Sequence, residues 1–172
     1  MKTLSLSLIA VLLFSVSALS QDPGPKKPAK KAVAVIPREK FDPKRDPNAD
    51  LASAVESASK NGKRIILDVG GEWCGWCVLL DKYLYQTSSL RKLRDTNFIW
   101  VKINMSEENE NEAFLASYPE IQGYPHLFVL DETGKLLHSQ DTSVLEKGNG
   151  YDLPKFTAFL KKWAPKGEKT LK

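Results

Sequence analysis

Ile65-Ile66-Leu67-Asp68-Val69-Gly70-Gly71-Glu72-Trp73-Cys74-Gly75-Trp76-Cys77 runs from an apolar, β-branched stretch directly into the only two cysteines of the 172-residue chain. Residues 64–69 predict a buried strand. Two cysteines separated by two residues, just after such a strand, predict a dithiol that opens and closes as a disulfide. As a staple the pair would do little, because it closes almost no loop and removes little entropy from the unfolded chain. A helix is expected to start at the pair and run to about Gln86. Cys74 then stands at a helix N-terminus, where partial positive charge and unpaired N–H groups favour a thiolate. Cys77 lies one turn further in, on the same face and less exposed. This predicts a division of labour: Cys74 attacks a substrate disulfide, and Cys77 resolves the mixed disulfide.

Working outward, the chain divides into four segments. Residues 1–20 read as a cleaved signal peptide: Met1-Lys2 is a short positive start, Leu4 to Leu19 is apolar with serines, and Ala18-Leu19-Ser20 is a small-x-small site before Gln21. A retained N-terminal membrane anchor is the lesser alternative, since the apolar stretch is short for a span of ~20 residues. Residues 21–49 read as a linker rich in proline and lysine, with six of the ten prolines between residues 21 and 48. Ala32 to Ile36 is expected to form a short edge strand. Residues 50–166 are expected to fold, and 167–172 form a tail. The mature protein is therefore expected in the periplasm or secreted, where disulfides persist.

The net charge of +4 is modest. Much of it lies in Lys26-Lys27-Pro28-Ala29-Lys30-Lys31, which lacks the interleaved aromatics of a nucleic-acid site and reads as a solvated tether. A hydrophobic content of 42% is ordinary for a globular domain and argues against global disorder.

Within the folded part, Asp50 is expected to cap a helix through Lys60, stopped by Asn61-Gly62. Ser88 or Ser89 caps a short helix with Leu90 and Leu93. Phe98 to Ile103 is a strand. Glu107 to Ser117 is expected to be a helix. His126 to Leu130 is a strand, Asp131 to Gly134 a turn, and Lys135 to His138 the returning strand. Ser143 to Gly150 reads as a loop. Asp152 caps a final helix, with Pro154 in its first turn, to about Trp163. Helices alternating with strands predict an α/β fold, a central mixed β-sheet with helices on both faces.

The quoted stretch, with Trp-Cys-Gly-x-Cys after a strand that carries an acid, resembles the thioredoxin family. The resemblance spans about residues 50–164 and is nearest to the secreted branch of thiol:disulfide oxidoreductases. Gly123-Tyr124-Pro125 is a second match. It implies a cis proline facing the cysteines, with the Tyr124 backbone presented for strand-like pairing with substrate and metals kept off the dithiol. The resemblance also implies that Asp68 assists proton transfer at Cys77 and that Lys102 neighbours this acid. The catalytic set is then Cys74, Cys77, Asp68 and Lys102. The substrate-binding set is Trp73, Gly75, Trp76, Gly123, Tyr124, Pro125 and His126.

Some positions depart from the family pattern. Gly75-Trp76 stands between the cysteines where isomerases usually carry Gly-His, which removes one source of thiolate stabilisation and argues for the reducing direction. Trp76 serves either to dock an apolar peptide or to shield the pair. Gly70-Gly71 replaces a position where a bulky aromatic is common, and Val78 replaces a frequent lysine. His126 is expected either near the thiolate or exposed at the strand start.

The expected activity is extracytoplasmic disulfide exchange with protein substrates, by a monomer that uses no cofactor beyond the Cys74–Cys77 disulfide. A thiol–disulfide electron donor, membrane-bound in one version, is the second expected partner, and nucleic acid is not expected. Oxidation or isomerisation of disulfides is one alternative. Another is copper handling by Cys74, Cys77 and His126. Zinc would need two further ligands, and His126 and His138 are the only histidines.

Overall fold

Ile65, Leu67 and Val69 point to one side of a strand while Ile66, Asp68 and Gly70 point to the other, and that alternation sets up the two layers of the molecule. The computed structural model describes residues 38–166. The expected signal peptide, the linker up to residue 37, the Ala32–Ile36 strand and the tail from residue 167 lie outside the described residues.

Helix α1 covers Pro47–Asn61 and strand β1 Arg64–Gly70. Helices α2 (Gly75–Gln86) and α3 (Ser88–Asn97) lead into β2 (Phe98–Asn104). After the short α4 (Glu112–Leu115) come β3 (His126–Leu130) and β4 (Leu136–Asp141). A 3-10 turn at Thr142–Leu145 and a small hairpin, β5 (Glu146–Lys147) with β6 (Gly150–Tyr151), precede α5 (Leu153–Trp163).

The main sheet has the order β2-β1-β3-β4. β1 pairs with β2 in parallel, Asp68 opposite Lys102. It pairs with β3 antiparallel, Val69 opposite His126. The β3–β4 hairpin completes a mixed sheet. On one face Ile66, Leu127 and Val129 pack with Leu80 and Leu84 of α2 and with Phe156, Phe159 and Leu160 of α5. On the other, Ile65, Leu67, Val69 and Phe128 pack with Ala54 and Ala58 of α1 and Phe114 of α4. The expected α/β architecture, with helices on both faces of a mixed sheet, is the observed one. Among the described residues no helix is long and apolar enough to cross a membrane.

Four sequence expectations need correction. Helix α1 begins at Pro47, not after Asp50, because Asp46 takes the cap and its side chain accepts from the Asn48 N–H. The folded part also reaches further upstream than residue 50, since Phe41 is buried. The helix expected over Glu107 to Ser117 shrinks to α4. Asn111 sits at positive φ, +51°, and Asn104 and Asn109 tie the preceding residues into a turn by side-chain bonds. The segment expected as a loop over Ser143 to Gly150 holds the 3-10 turn and the β5–β6 hairpin, with Gly148 in the left-handed region at its tip.

Candidate active site

Cys74 is the N-cap of α2, as its extended backbone and place after β1 require, and Cys77 lies one turn in. The two are joined as a disulfide. The backbone N–H of Cys77 donates to Cys74 Sγ at 3.1 Å. That donor, with the helix N-terminus, favours charge on the Cys74 sulfur once the bond opens. Both cysteines are largely covered, Cys74 5% and Cys77 1% exposed.

The close fit at Cys77 explains one departure in the sequence. A Cβ on Gly70 would lie 2.6 Å from Cys77 Sγ and 3.2 Å from Phe41 Cζ. The end of β1 therefore has no room for a side chain, and the Phe41 ring stands in that space. Phe41, Cys74 and Cys77 form a small apolar cluster to which Trp76 and Tyr124 are added.

Beside the cysteines lies a buried set of charges. Lys102 on β2 directs Nζ to Asp68 Oδ2 at 2.7 Å and also to Asp81 of α2. Trp100 Nε1 donates to the same Asp68 oxygen at 2.9 Å. The other oxygen, Oδ1, is buried with no hydrogen-bond partner among the described residues. Parallel pairing of β1 with β2 places Asp68 next to Lys102, and alternation turns both towards α2. Burial pulls the Lys102 ammonium down, but the charges of Asp68 and Asp81 outweigh it and hold it above the ordinary lysine value. Burial, reinforced by the Asp68 charge, raises the Asp81 carboxyl above the ordinary value despite Lys102 and Arg38.

Arg38 extends this network outward, bonding Asp81 Oδ2 at 2.6 Å and also Glu72. Glu72 Oε1 accepts the Phe41 N–H at 3.0 Å. Burial works to raise the Glu72 carboxyl, but Arg38 and that N–H overcome it and hold it below its usual value.

The expected substrate-binding residues divide into those near the pair and those turned elsewhere. Trp73 is 60% exposed, its Nε1 donates to the Met105 carbonyl at 2.6 Å, and its ring meets Tyr124 edge-on at 5.7 Å. Gly75 is exposed at the start of α2. Trp76 is half-buried, edge-on to Tyr151 at 5.6 Å, which suits shielding more than docking. Gly123 leads into a cis Tyr124–Pro125 bond, and Tyr124 packs against the cysteine cluster. Pro125 is buried, and its carbonyl accepts from Thr142 at 2.7 Å.

His126 is a correction on both counts, being neither exposed nor beside the cysteines. It pairs with Val69, so its side chain joins the face away from α2. Its ring lies 4.7 Å from Phe128, its Nε2 is 2.8 Å from Ser139 Oγ, and its Nδ1 has no partner among the described residues. Burial lowers its pKa from the ordinary 6.5. The third ligand that the copper-handling alternative relied on is thus withdrawn from the pair.

Asp81, Trp100, Arg38, Glu72 and Phe41 were missed from sequence. Asp81 carried a usable signal, four residues after Cys77 on the same helical face. Arg38 and Phe41 carried none, since they reach the site only through tertiary folding.

A family model described as thioredoxin-like matches residues 46–132. The thiol:disulfide interchange protein DsbD of Colwellia psychrerythraea is 29% identical over 96 residues, 55% of this chain and 16% of that protein. The disulfide bond reductase DsbH of Chlamydia pneumoniae is 26% identical over 95 residues, 50% of this chain and 57% of that protein. The chain therefore spans less than two thirds of either curated relative. In structure it is similar to a disulphide isomerase from Xylella fastidiosa Temecula1, with TM-score 0.62, 24% identity, and coverage of 71% of this chain and 94% of that one. It is also similar to the C-terminal domain of Neisseria meningitidis DsbD, with TM-score 0.53, 20% identity, and coverage of 73% and 99%. At these identities the two structures speak to the fold alone.

Proposed function

Because the chain belongs to the thioredoxin-like family, we propose that it exchanges disulfides with protein substrates through Cys74 and Cys77, outside the cytoplasm and in the reducing direction. The observation that carries this is the Cys74–Cys77 disulfide at the N-terminus of α2, where the helix end and the Cys77 N–H both favour charge on the Cys74 sulfur.

In the reduced protein the Cys74 thiolate attacks one sulfur of a substrate disulfide. A mixed disulfide forms and the other substrate sulfur leaves as a thiolate. The Cys77 thiol gives up its proton and attacks Cys74. The intramolecular disulfide closes and the reduced substrate is released. Asp68 Oδ1, which has no hydrogen-bond partner among the described residues, supports a role as acceptor of that proton, with Lys102 and Trp100 holding the opposite oxygen in place. Exposed Trp73, edge-on to Tyr124, supports a substrate path across these two rings. A second thiol–disulfide partner would return electrons to Cys74–Cys77. The DsbH relative is a disulfide bond reductase, which supports the reducing direction, and the signal-like start of the sequence supports the extracytoplasmic setting.

The test is the reduction potential of the pair, equilibrated in glutathione or dithiothreitol buffers and read by the fluorescence of Trp73 and Trp76. A value near about −270 mV is expected for a reductant, and one between about −180 and −120 mV would overturn the direction. Alongside it, Cys74→Ser is expected to abolish insulin reduction and Cys77→Ser to accumulate mixed disulfides. Full activity in Cys74→Ser would refute the mechanism.

A further inference from the structure

We infer that Phe41, latched by Arg38, is a positioning residue that covers the resolving sulfur and so confines exchange to Cys74. A disulfide offers two sulfurs to an incoming thiolate. Attack joins the thiolate to one of them and releases the other as a thiolate, so which end is accessible decides which mixed disulfide forms. Here both sulfurs are largely covered, and the one that shares its space with the Phe41 ring is that of Cys77. Phe41 is 3% exposed, and its ring reaches the face of Gly70 at the spot where the Cys77 sulfur also lies. The same ring lies 4.2 Å from Lys102 Nζ and so closes the edge of the buried charges.

The cover is held on both sides of the cysteines. The Phe41 N–H is bonded to Glu72, two residues before Cys74. Arg38 bonds the same Glu72 and Asp81, four residues beyond Cys77. Two ion pairs and a backbone hydrogen bond thus fix a segment lying upstream of residues 46–132, the part matched by the family model. β1 ends in a glycine at this point and offers no side chain of its own, so the upstream aromatic supplies what the strand lacks.

The inference rests on the proposed exchange for its meaning but not for its test. That test is the rate of alkylation by iodoacetamide of single-thiol proteins, Cys74→Ser to read Cys77 and Cys77→Ser to read Cys74, each with and without Phe41→Ala. With Phe41→Ala, Cys77 is expected to react about tenfold faster and Cys74 to change by less than about twofold, since only the thiol uncovered becomes accessible. Arg38→Gln, which frees the latch and leaves the ring, is expected to give a smaller rise at Cys77 alone. Phe41→Leu is expected to restore most of the protection. An equal rise at both cysteines, or none at Cys77, would overturn the cover. If Phe41→Ala fails to fold by circular dichroism, Arg38→Gln and Phe41→Leu decide the matter by the same criterion. Loss of insulin reduction in the unsubstituted protein would count against the exchange reaction while leaving the asymmetry of alkylation standing.

Discussion

The two faces of the sheet each bury an ionisable group next to β1, and they treat it in opposite ways. Towards α2, Asp68 has an ammonium, an indole N–H and a second carboxylate around it. Towards α1, His126 has Phe128, one hydroxyl and a nitrogen with no partner among the described residues. They are one step apart in the register, since Val69 and not Asp68 is opposite His126. A buried charge persists only with a partner, and a buried group without one is pushed towards its neutral form. The redox pair sits on the face that keeps its charges. The other face is ordinary core that tolerates one neutral imidazole.

The contrast is broken most severely from the charged side. Lys102→Met would leave Asp68 and Asp81 facing each other with Arg38 as their remaining cation. Urea unfolding at pH 7.5 is expected to show a loss of about 3–5 kcal/mol. The loss should shrink at pH 5, where protonation relieves a carboxyl already held above its ordinary value; an equal loss at both pH values would mean the carboxylates are not what suffers. Trp100→Phe removes one donor to the Asp68 carboxylate, and about 2 kcal/mol is expected in the same assay. A change below about 0.5 kcal/mol would show that Lys102 alone satisfies the acid.

The smallest expected effect sharpens the comparison from the neutral side. The folded-state pKa of His126 is depressed, so the unfolded chain binds more protons than the fold just below pH 6.5. Stability should therefore fall as pH drops through 6.5 towards the lowered value. His126→Phe is expected to change stability by less than about 1 kcal/mol at pH 8 and to flatten that acid-side decline. A decline unchanged in His126→Phe would assign it to another group.

What was legible in the sequence was local. The β1-to-α2 turn, the cysteine pair, Gly123-Tyr124-Pro125 and the Asp152 cap each lie within a few consecutive residues, and their placement follows from strand period, cap chemistry and proline. Asp68 and Lys102 came from resemblance, and the parallel register sets them side by side. The rest of the site depends on long-range approach. Arg38 meets Asp81 across 43 residues, and Phe41 meets Glu72 across 31. A stretch with prolines and charges reads as linker when its partners are not in view. The helix expected over Glu107 to Ser117 failed for a related reason: Asn104, Asn109 and Asn111 bond to nearby backbone and compete with helix formation.

The glycine at position 70 has a consequence for how this protein can change over generations. Every amino acid other than glycine carries a Cβ, and at Gly70 that atom would lie 2.6 Å from the Cys77 sulfur. The sulfur has little space to retreat into, with Phe41 already against the same spot. A substitution here is therefore tolerated only with a matching shift of the Cys77 sulfur and the Phe41 ring.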